Sequence, residues 1–326
     1  TGMVGQRYVT LLAGHPWFEV VVVAASPRSA GRTYQQAVAG RWKMADPIPT
    51  AVKDLTVLDV SQIDEIASQV DFVFSAVNMS KAAIKKIEEE YAKTETPVVS
   101  NNSAHRWTPD VPMIIPEINP NHSEVIKFQR QRLGTQRGFI AVKPNCSIQS
   151  YAPALSAWMK FEPTQVVATT YQAISGAGKN FDDAPEILNN VIPYIAGEEE
   201  KSEKEPLKIW GKVDQQKGEI IPVAAPVITS QCLRVPVLYG HTVAAFVNFK
   251  QQPTKEELIA ALESYAGVPQ ELGLPSAPKH FIQYLTENDR PQVQLDVNFE
   301  NGMGISIGRL RPDKLFDWKF VGLSHN

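Results

Sequence analysis

Two textures divide the chain. Through about residue 147, short β-branched runs take turns with stretches whose apolar residues recur every three or four positions. Residues 18–25, apolar without a break from Val20 to Ala25, form a run suited to a parallel strand covered on both faces. Residues 55–60, 71–76, 97–100 and 139–142 read as further strands, and residues 62–68 as a short helix. Residues 80–92 carry Ala82, Ile84, Ile87 and Tyr91 at helical spacing. Such alternation predicts an α/β fold with a Rossmann-type doubly wound parallel sheet, whose ligands sit beyond the carboxyl ends of the strands. Those ends are Ser75-Ala76, the run from Asn101 to Arg106, and Asn145-Cys146.

Beyond that point, residues 164–171 alternate and lead into a glycine turn at Gly176 and Gly178. Residues 219–228, 231–238 and 241–250 read as strands of a mostly antiparallel sheet, with Pro and Gly at the turns. Residues 254–265 read as a helix, and 293–299 with 304–310 as a final strand pair. The acidic and lysine-rich residues 198–205 read by default as a solvated helix face. The expected organisation is therefore a nucleotide-binding domain over residues 1–147 and an α+β domain over residues 148–326.

The chain has 326 residues, natural for two domains, with 43% hydrophobic and 21% charged residues. A net charge of −3 with scattered Lys and Arg argues against a nucleic-acid surface or an anionic-membrane binder. The two cysteines, Cys146 and Cys232, form no disulfide framework and fit a reducing, cytoplasmic compartment. No apolar run approaches a membrane span, no signal peptide is visible, and no H-x-x-x-H or C-x-x-C pair points to a metal.

Chemistry concentrates at Lys143-Pro144-Asn145-Cys146-Ser147. The apolar run before it predicts a buried strand that stops at the proline and delivers Cys146 to the start of a helix reaching roughly Trp158. A thiol there meets unpaired N–H groups and the positive end of the helix dipole, which favour the nucleophilic thiolate. A buried packing cysteine would occupy the same position, and the residues alone leave both readings open. His241 follows a glycine turn close after Arg234, where a surface histidine and a catalytic one look alike. Near the start, Gly2 and Gly5 resemble the last two glycines of a dinucleotide turn opening a helix. The run at 18–25 ends in Ser26-Pro27-Arg28-Ser29 with no acid for a ribose 2′-hydroxyl. Hydroxyls with Arg28 and Arg32 suit a 2′-phosphate, hence NADP, although a solvated basic loop would read the same way.

Taken together, T-G-M-V-G-Q-R at 1–7, S-N-N-S-A-H-R at 100–106, P-N-C-S at 144–147 and Y-Q-A-I-S-G-A-G-K at 171–179 resemble the aspartate-β-semialdehyde dehydrogenase family. I-P-Y-I-A-G-E-E-E-K at 192–201, R-V-P-V-L-Y-G-H-T at 234–242 and G-R-L-R at 308–311 extend the resemblance over essentially the whole chain, closest to the archaeal and fungal branch. The resemblance implies Cys146 as nucleophile, His241 as acid–base catalyst and Gln172 as the residue orienting the acyl-enzyme. It implies Arg234 on the substrate carboxylate, Glu198 at the substrate amino group, and Asn145, Arg106 and Lys201 around phosphate. Thr1, Gly2, Val4, Ser26, Arg28, Ser29, Ser75, Ser175, Gly176 and Asn326 are the implied cofactor contacts. The second domain would carry catalysis and dimerisation, giving a homodimer or homotetramer. Against the family pattern, a first strand with its glycine and a C-terminal helix are expected to be missing.

The implied reaction is reduction of L-aspartyl-4-phosphate to L-aspartate-4-semialdehyde by NADPH, with inorganic phosphate as co-substrate in reverse, in the biosynthesis of lysine, methionine, threonine and isoleucine. Such chemistry needs a thiolate that attacks well and leaves well. Malonyl-CoA reductases resemble this branch and would take a thioester, but their substrate has no ammonium for Glu198 to meet. A non-catalytic nucleotide-binding module is the third reading, and it predicts Cys146 and His241 far apart.

Overall fold

The computed structural model describes residues 1–326, in two compact units. The first comprises Thr1–Met113, His122–Lys143 and Val213–Ile220; the second comprises Ile114–Asn121, Pro144–Lys212 and Ile221–Asn326. Thirteen strands follow in chain order: β1 (Val23–Ala25), β2 (Val57–Asp59), β3 (Val73–Ser75), β4 (Val98–Ser100), β5 (Ile140–Val142), β6 (Pro163–Gln172), β7 (Lys212–Asp214), β8 (Glu219–Ile221), β9 (Val227–Arg234), β10 (His241–Phe249), β11 (Ile282–Leu285), β12 (Ile305–Pro312) and β13 (Trp318–Ser324).

In the first unit β1 pairs with β2, and β3–β4–β5 form a second group, all in parallel; β7 and β8 form a separate two-stranded sheet. Helix Lys81–Lys93 buries Ile84, Glu88, Tyr91 and Ala92, a stripe at i, i+4, i+7 and i+8. Glu88 is the unexpected member. Its Oε1 accepts Ser75 Oγ and Ser100 Oγ, each at 2.6 Å, and Asn102 Nδ2 at 3.0 Å. One carboxylate thus ties together the carboxyl ends of β3 and β4. Glu88→Ala would leave these donors without their acceptor, so the urea midpoint should show a loss of about 3 kcal/mol, whereas a change below about 0.5 kcal/mol would refute the tie.

The second unit is built on a six-stranded sheet in the order β11-β12-β13-β10-β6-β9. The central pairings β12–β13, β13–β10 and β10–β6 are antiparallel, while the outer pairings β11–β12 and β6–β9 are parallel. Trp158, Phe249 and Phe320 interlock edge to face under it.

Four sequence-based expectations are corrected. The helix expected from Cys146 is broken: a 3-10 turn, Ser147–Ser150, precedes helix Ala152–Ala157, with Tyr151 at φ −139° between them. Pro153 lacks the N–H that would continue an α-helical ladder across the junction. The runs at 219–228 and 231–238 resolve into the short β8 and a single β9. Residues 293–299 are not a strand, because Asp296 accepts from Arg290 Nε at 2.8 Å and from the Gln292 N–H at 2.6 Å, curling the segment into helix Val293–Asp296. Finally, the charged run at 198–205 is solvated on one face only, at Glu200 and Lys204. It opens helix Glu198–Ile209, which buries Glu198, Ser202, Glu205 and Ile209 along one stripe. Pro206 cannot donate to the Ser202 carbonyl; the Tyr151 hydroxyl does so instead, at 2.6 Å.

Candidate active site

Strand direction assembles the site. β6 and β9 run parallel with Gln172 paired to Arg234 at their carboxyl ends. β10 starts at that same edge, because it pairs antiparallel with β6, Thr242 opposite Tyr171. Gln172, Arg234 and His241 therefore arrive together although they are spread over the sequence.

The Cys146 loop is fixed through Asn145. Its N–H donates to Glu205 Oε2 at 2.6 Å, its Oδ1 accepts the Ser147 N–H at 2.8 Å, and its Nδ2 donates to both Glu198 oxygens at 3.1 and 3.0 Å. Cys146 Sγ lies 3.2 Å from His241 Nε2. Cys146 is half-buried and His241 fully buried. The other ring nitrogen, His241 Nδ1, accepts the Ala173 N–H at 2.9 Å, and the Ala173 carbonyl accepts Arg234 Nη1 at 2.7 Å. One residue's backbone thus holds both side chains. An added Cβ at Gly176 would sit 3.1 Å from the His241 ring and 3.3 Å from Arg234 Nη1, so glycine lets this loop close over them.

The electrostatics are coupled. Burial lowers the Arg234 guanidinium from its ordinary value, while Glu198 and the Cys146 sulfur favour its charge. Burial pushes the Cys232 thiol up, which makes that fully buried cysteine a packing residue. Of the three consecutive glutamates, Glu198 faces the Cys146 loop; Glu199 accepts the Cys232 N–H and Glu200 pairs with Lys204. Burial alone would raise the Glu198 carboxyl, but Lys201 at 2.6 Å and hydrogen bonds from Asn145 and Gln172 outweigh it, leaving it below its ordinary value of 4.5. A depressed carboxyl contributes stability that is complete above that value and lost as pH falls through the lower folded one. Urea midpoints should accordingly hold steady above pH 4.5 and fall below it, and Glu198→Gln should reduce the fall. An unchanged acid limb in the variant would contradict the assignment.

The expected residues are placed as follows. Cys146, Asn145, Gln172, Arg234, His241, Glu198 and Lys201 lie in the second unit. There the Asn145 amide and Lys201 ammonium are turned to Glu198. Ser175 and Asn326 also meet: Asn326 Nδ2 donates to Ser175 Oγ, and its Oδ1 accepts the Gly240 N–H, both at 2.8 Å. Arg106 belongs to the first unit, where its Nε donates to the Lys143 carbonyl at 3.1 Å. In that unit Gly2 precedes helix Met3–Leu12, Val4 and Arg28 are exposed, Thr1 and Ser26 are partly exposed, Ser29 is buried, and Ser75 is held by Glu88. Glu88, Glu205 and Ala173 are site-shaping residues that sequence reasoning missed. Only Glu88 carried a signal, as a charge inside an otherwise apolar helical stripe.

A semialdehyde dehydrogenase NAD binding domain model matches residues 1–126, and a semialdehyde dehydrogenase dimerisation domain model matches residues 152–326. Aspartate-semialdehyde dehydrogenase of Schizosaccharomyces pombe is 41% identical over 100% of this chain and 91% of its own length. The chain belongs to the aspartate-semialdehyde dehydrogenase family. The Methanothermobacter thermautotrophicus enzyme of that name is 38% identical over 100% of this chain and 92% of its own. A crystal structure of aspartate semialdehyde dehydrogenase with NADP from Candida albicans superposes with a TM-score of 0.88 at 36% identity, covering 100% of this chain and 91% of that one. Family membership and a Cys146–His241 contact at hydrogen-bond distance together set aside the non-catalytic reading.

Proposed function

We propose that this chain reduces L-aspartyl-4-phosphate to L-aspartate-4-semialdehyde with NADPH, and oxidises the aldehyde in reverse with inorganic phosphate as acceptor. This places it at the branch leading from aspartate to lysine, methionine, threonine and isoleucine. The observation that carries the reading is Cys146 Sγ at 3.2 Å from His241 Nε2, beside Arg234, in a chain of this family. The Cys146 thiolate attacks the acyl carbon; a C–S bond forms, the C–O bond to phosphate breaks, and phosphate leaves with that electron pair. Arg234 grips the substrate carboxylate, Glu198 meets its ammonium, and Gln172 orients the acyl group. Asn145, Lys201 and Arg106 serve phosphate. The glutamate favours an amino-acid substrate over malonyl-CoA.

The residues fit a phosphorylated dinucleotide. β1 ends at Ala25 with no acid in the turn that follows, and Arg28 beyond it is exposed to meet a 2′-phosphate. Gly2 leaves the entry to helix Met3–Leu12 open, with nothing within 4 Å of an added Cβ. Thr1, Gly2, Val4, Ser26, Arg28, Ser29 and Ser75 would hold NADP from residues 1–147, with Ser175, Gly176 and Asn326 contributing from residues 148–326. The bound cofactor supplies the hydride that reduces the thioester. The second unit also carries the contact of a homodimer or homotetramer, a reading supported by the dimerisation domain match. Steady-state assay tests the proposal: L-aspartate-4-semialdehyde should reduce NADP only when phosphate is present. NADPH oxidation by malonyl-CoA, with no response to the aldehyde, would move the chain to the rival substrate.

A further inference from the structure

We infer that Glu205 is the positioning residue of the nucleophile: through the Asn145 backbone it fixes where Cys146 Sγ stands, and so sets the rate at which the acyl-enzyme forms. The inference rests on the reading of Cys146 as nucleophile and adds a side chain that belongs to neither the substrate nor the cofactor contacts. Glu205 is fully buried on the helix Glu198–Ile209, and its Oε2 accepts the Asn145 N–H at 2.6 Å. Burying a carboxyl group is costly, and a short hydrogen bond of this kind helps to make it tolerable. The donor has a special place in the chain. The Lys143 N–H is taken by the Ser100 carbonyl at 3.0 Å, and Pro144 has no N–H. Asn145 therefore offers the last backbone donor before the cysteine.

What Glu205 holds is carried into the residues that follow. Asn145 Oδ1 accepts the Ser147 N–H at 2.8 Å and the Ser147 hydroxyl at 2.6 Å, so the two neighbours of Cys146 are tied to each other. Farther on, the Tyr151 hydroxyl donates to the Ser202 carbonyl at 2.6 Å, on the same helix as Glu205. Behind the turn stands β13, where glycine at position 322 leaves the room that the Ser150 carbonyl occupies. The stretch 145–151 is thus gripped at both ends by one helix and backed by the sheet.

Glu198 and Glu205 lie on one stripe about two turns apart and both end on Asn145, but they divide the work. Glu198 holds only the side-chain amide, at 3.1 and 3.0 Å, and its Oε1 also accepts Lys201 Nζ at 2.6 Å. Seating a substrate ammonium there displaces some of these donors, because a carboxylate has about four lone-pair sites. Glu205 holds the backbone and meets no substrate group, so its grip persists while Glu198 exchanges partners. Attack on the acyl carbon needs the sulfur at about 3–3.5 Å and in line, and a displacement of about 1 Å costs about 10²-fold.

Two variants and one spectrum test this. Glu205→Gln keeps an oxygen acceptor in place, and Glu205→Met fills the space without one. In single turnovers without phosphate, at saturating NADP and L-aspartate-4-semialdehyde, the NADPH burst of Glu205→Gln should stay within about fivefold of the wild-type rate, while that of Glu205→Met should be about 10²-fold slower. In both, the amplitude should remain near one per subunit, and the half-saturating semialdehyde concentration should change by less than about threefold. A residue that served folding alone would lower the amplitude and leave the rate of the surviving sites unchanged; that result would overturn the inference, as would an unchanged rate in Glu205→Met. The spectrum needs neither substrate nor the methionine variant. In protein labelled with ¹⁵N-asparagine, the Asn145 amide proton, assigned with Asn145→Asp, should lie far downfield, as a short hydrogen bond to a carboxyl oxygen requires, and should move upfield in Glu205→Gln. An Asn145 amide at an ordinary shift that ignores Glu205→Gln would overturn the inference. No burst from the wild-type chain would instead overturn the functional reading, and the amide shift would still decide whether Glu205 holds the loop.

Discussion

Cys146→Ser should lower kcat/KM for phosphate-dependent semialdehyde oxidation by about 10⁴-fold or more, with little change in the urea midpoint. The hydroxyl is close to the thiol in size, and the loop is held by Asn145 rather than by the sulfur, so folding has little reason to respond. The chemistry does. Serine is not ionised near neutral pH, and it is a far poorer leaving group when the tetrahedral adduct collapses. The Ser147–Ser150 turn gives little compensating help, since the Ser147 N–H is already taken by Asn145 Oδ1. Stopped-flow and steady-state rates on the folded variant provide the check, and a loss smaller than about tenfold would mean that the nucleophile lies elsewhere.

Arg234→Lys should lower kcat/KM by about 10²–10³-fold, chiefly by raising KM for the semialdehyde. One arm of the guanidinium is committed to the Ala173 carbonyl at 2.7 Å, while the planar fork can still present parallel N–H groups to a carboxylate. A lysine ammonium can satisfy the carbonyl or the substrate in that geometry, not both. Loss of the carbonyl contact would also slacken the residue that orients His241, so a smaller fall in kcat should accompany the change in KM. Unchanged KM in a folded Arg234→Lys protein would show that the substrate carboxylate is held by another group.

Much of this site is legible in the sequence because the chain places its chemistry at strand ends. Cys146 follows an apolar run that stops at a proline, and His241 follows a glycine turn; both positions are local facts. Their contact is not local, since it depends on β10, antiparallel to β6, starting where the loop after β5 brings Cys146. Charge composition misleads where burial is decided by a distant partner. Residues 198–205 look solvated by content, yet Glu198, Ser202, Glu205 and Ile209 share one helical stripe. Asn145, Tyr151 and Lys201 then supply the hydrogen bonds that make burial tolerable. Glu88 hides in the same way among three glutamates, although its spacing from Ile84 and Ala92 marks it as inward. The segment at 293–299 fails as a strand for a different reason. Its alternation is real, but Asp296 closes on Arg290 and the Gln292 N–H before any strand can pair. Ala173 carries no sequence signal, because it acts entirely through its backbone.

The measurement that bears most directly on the covalent route is a single turnover without phosphate. Enzyme mixed with NADP and L-aspartate-4-semialdehyde should release a burst of NADPH close to one per subunit. Quenched samples should carry an aspartyl group on the Cys146 peptide by mass spectrometry, and added phosphate should discharge it. A burst with no adduct, an adduct on any other residue, or an adduct that phosphate leaves in place would contradict the thioester at Cys146.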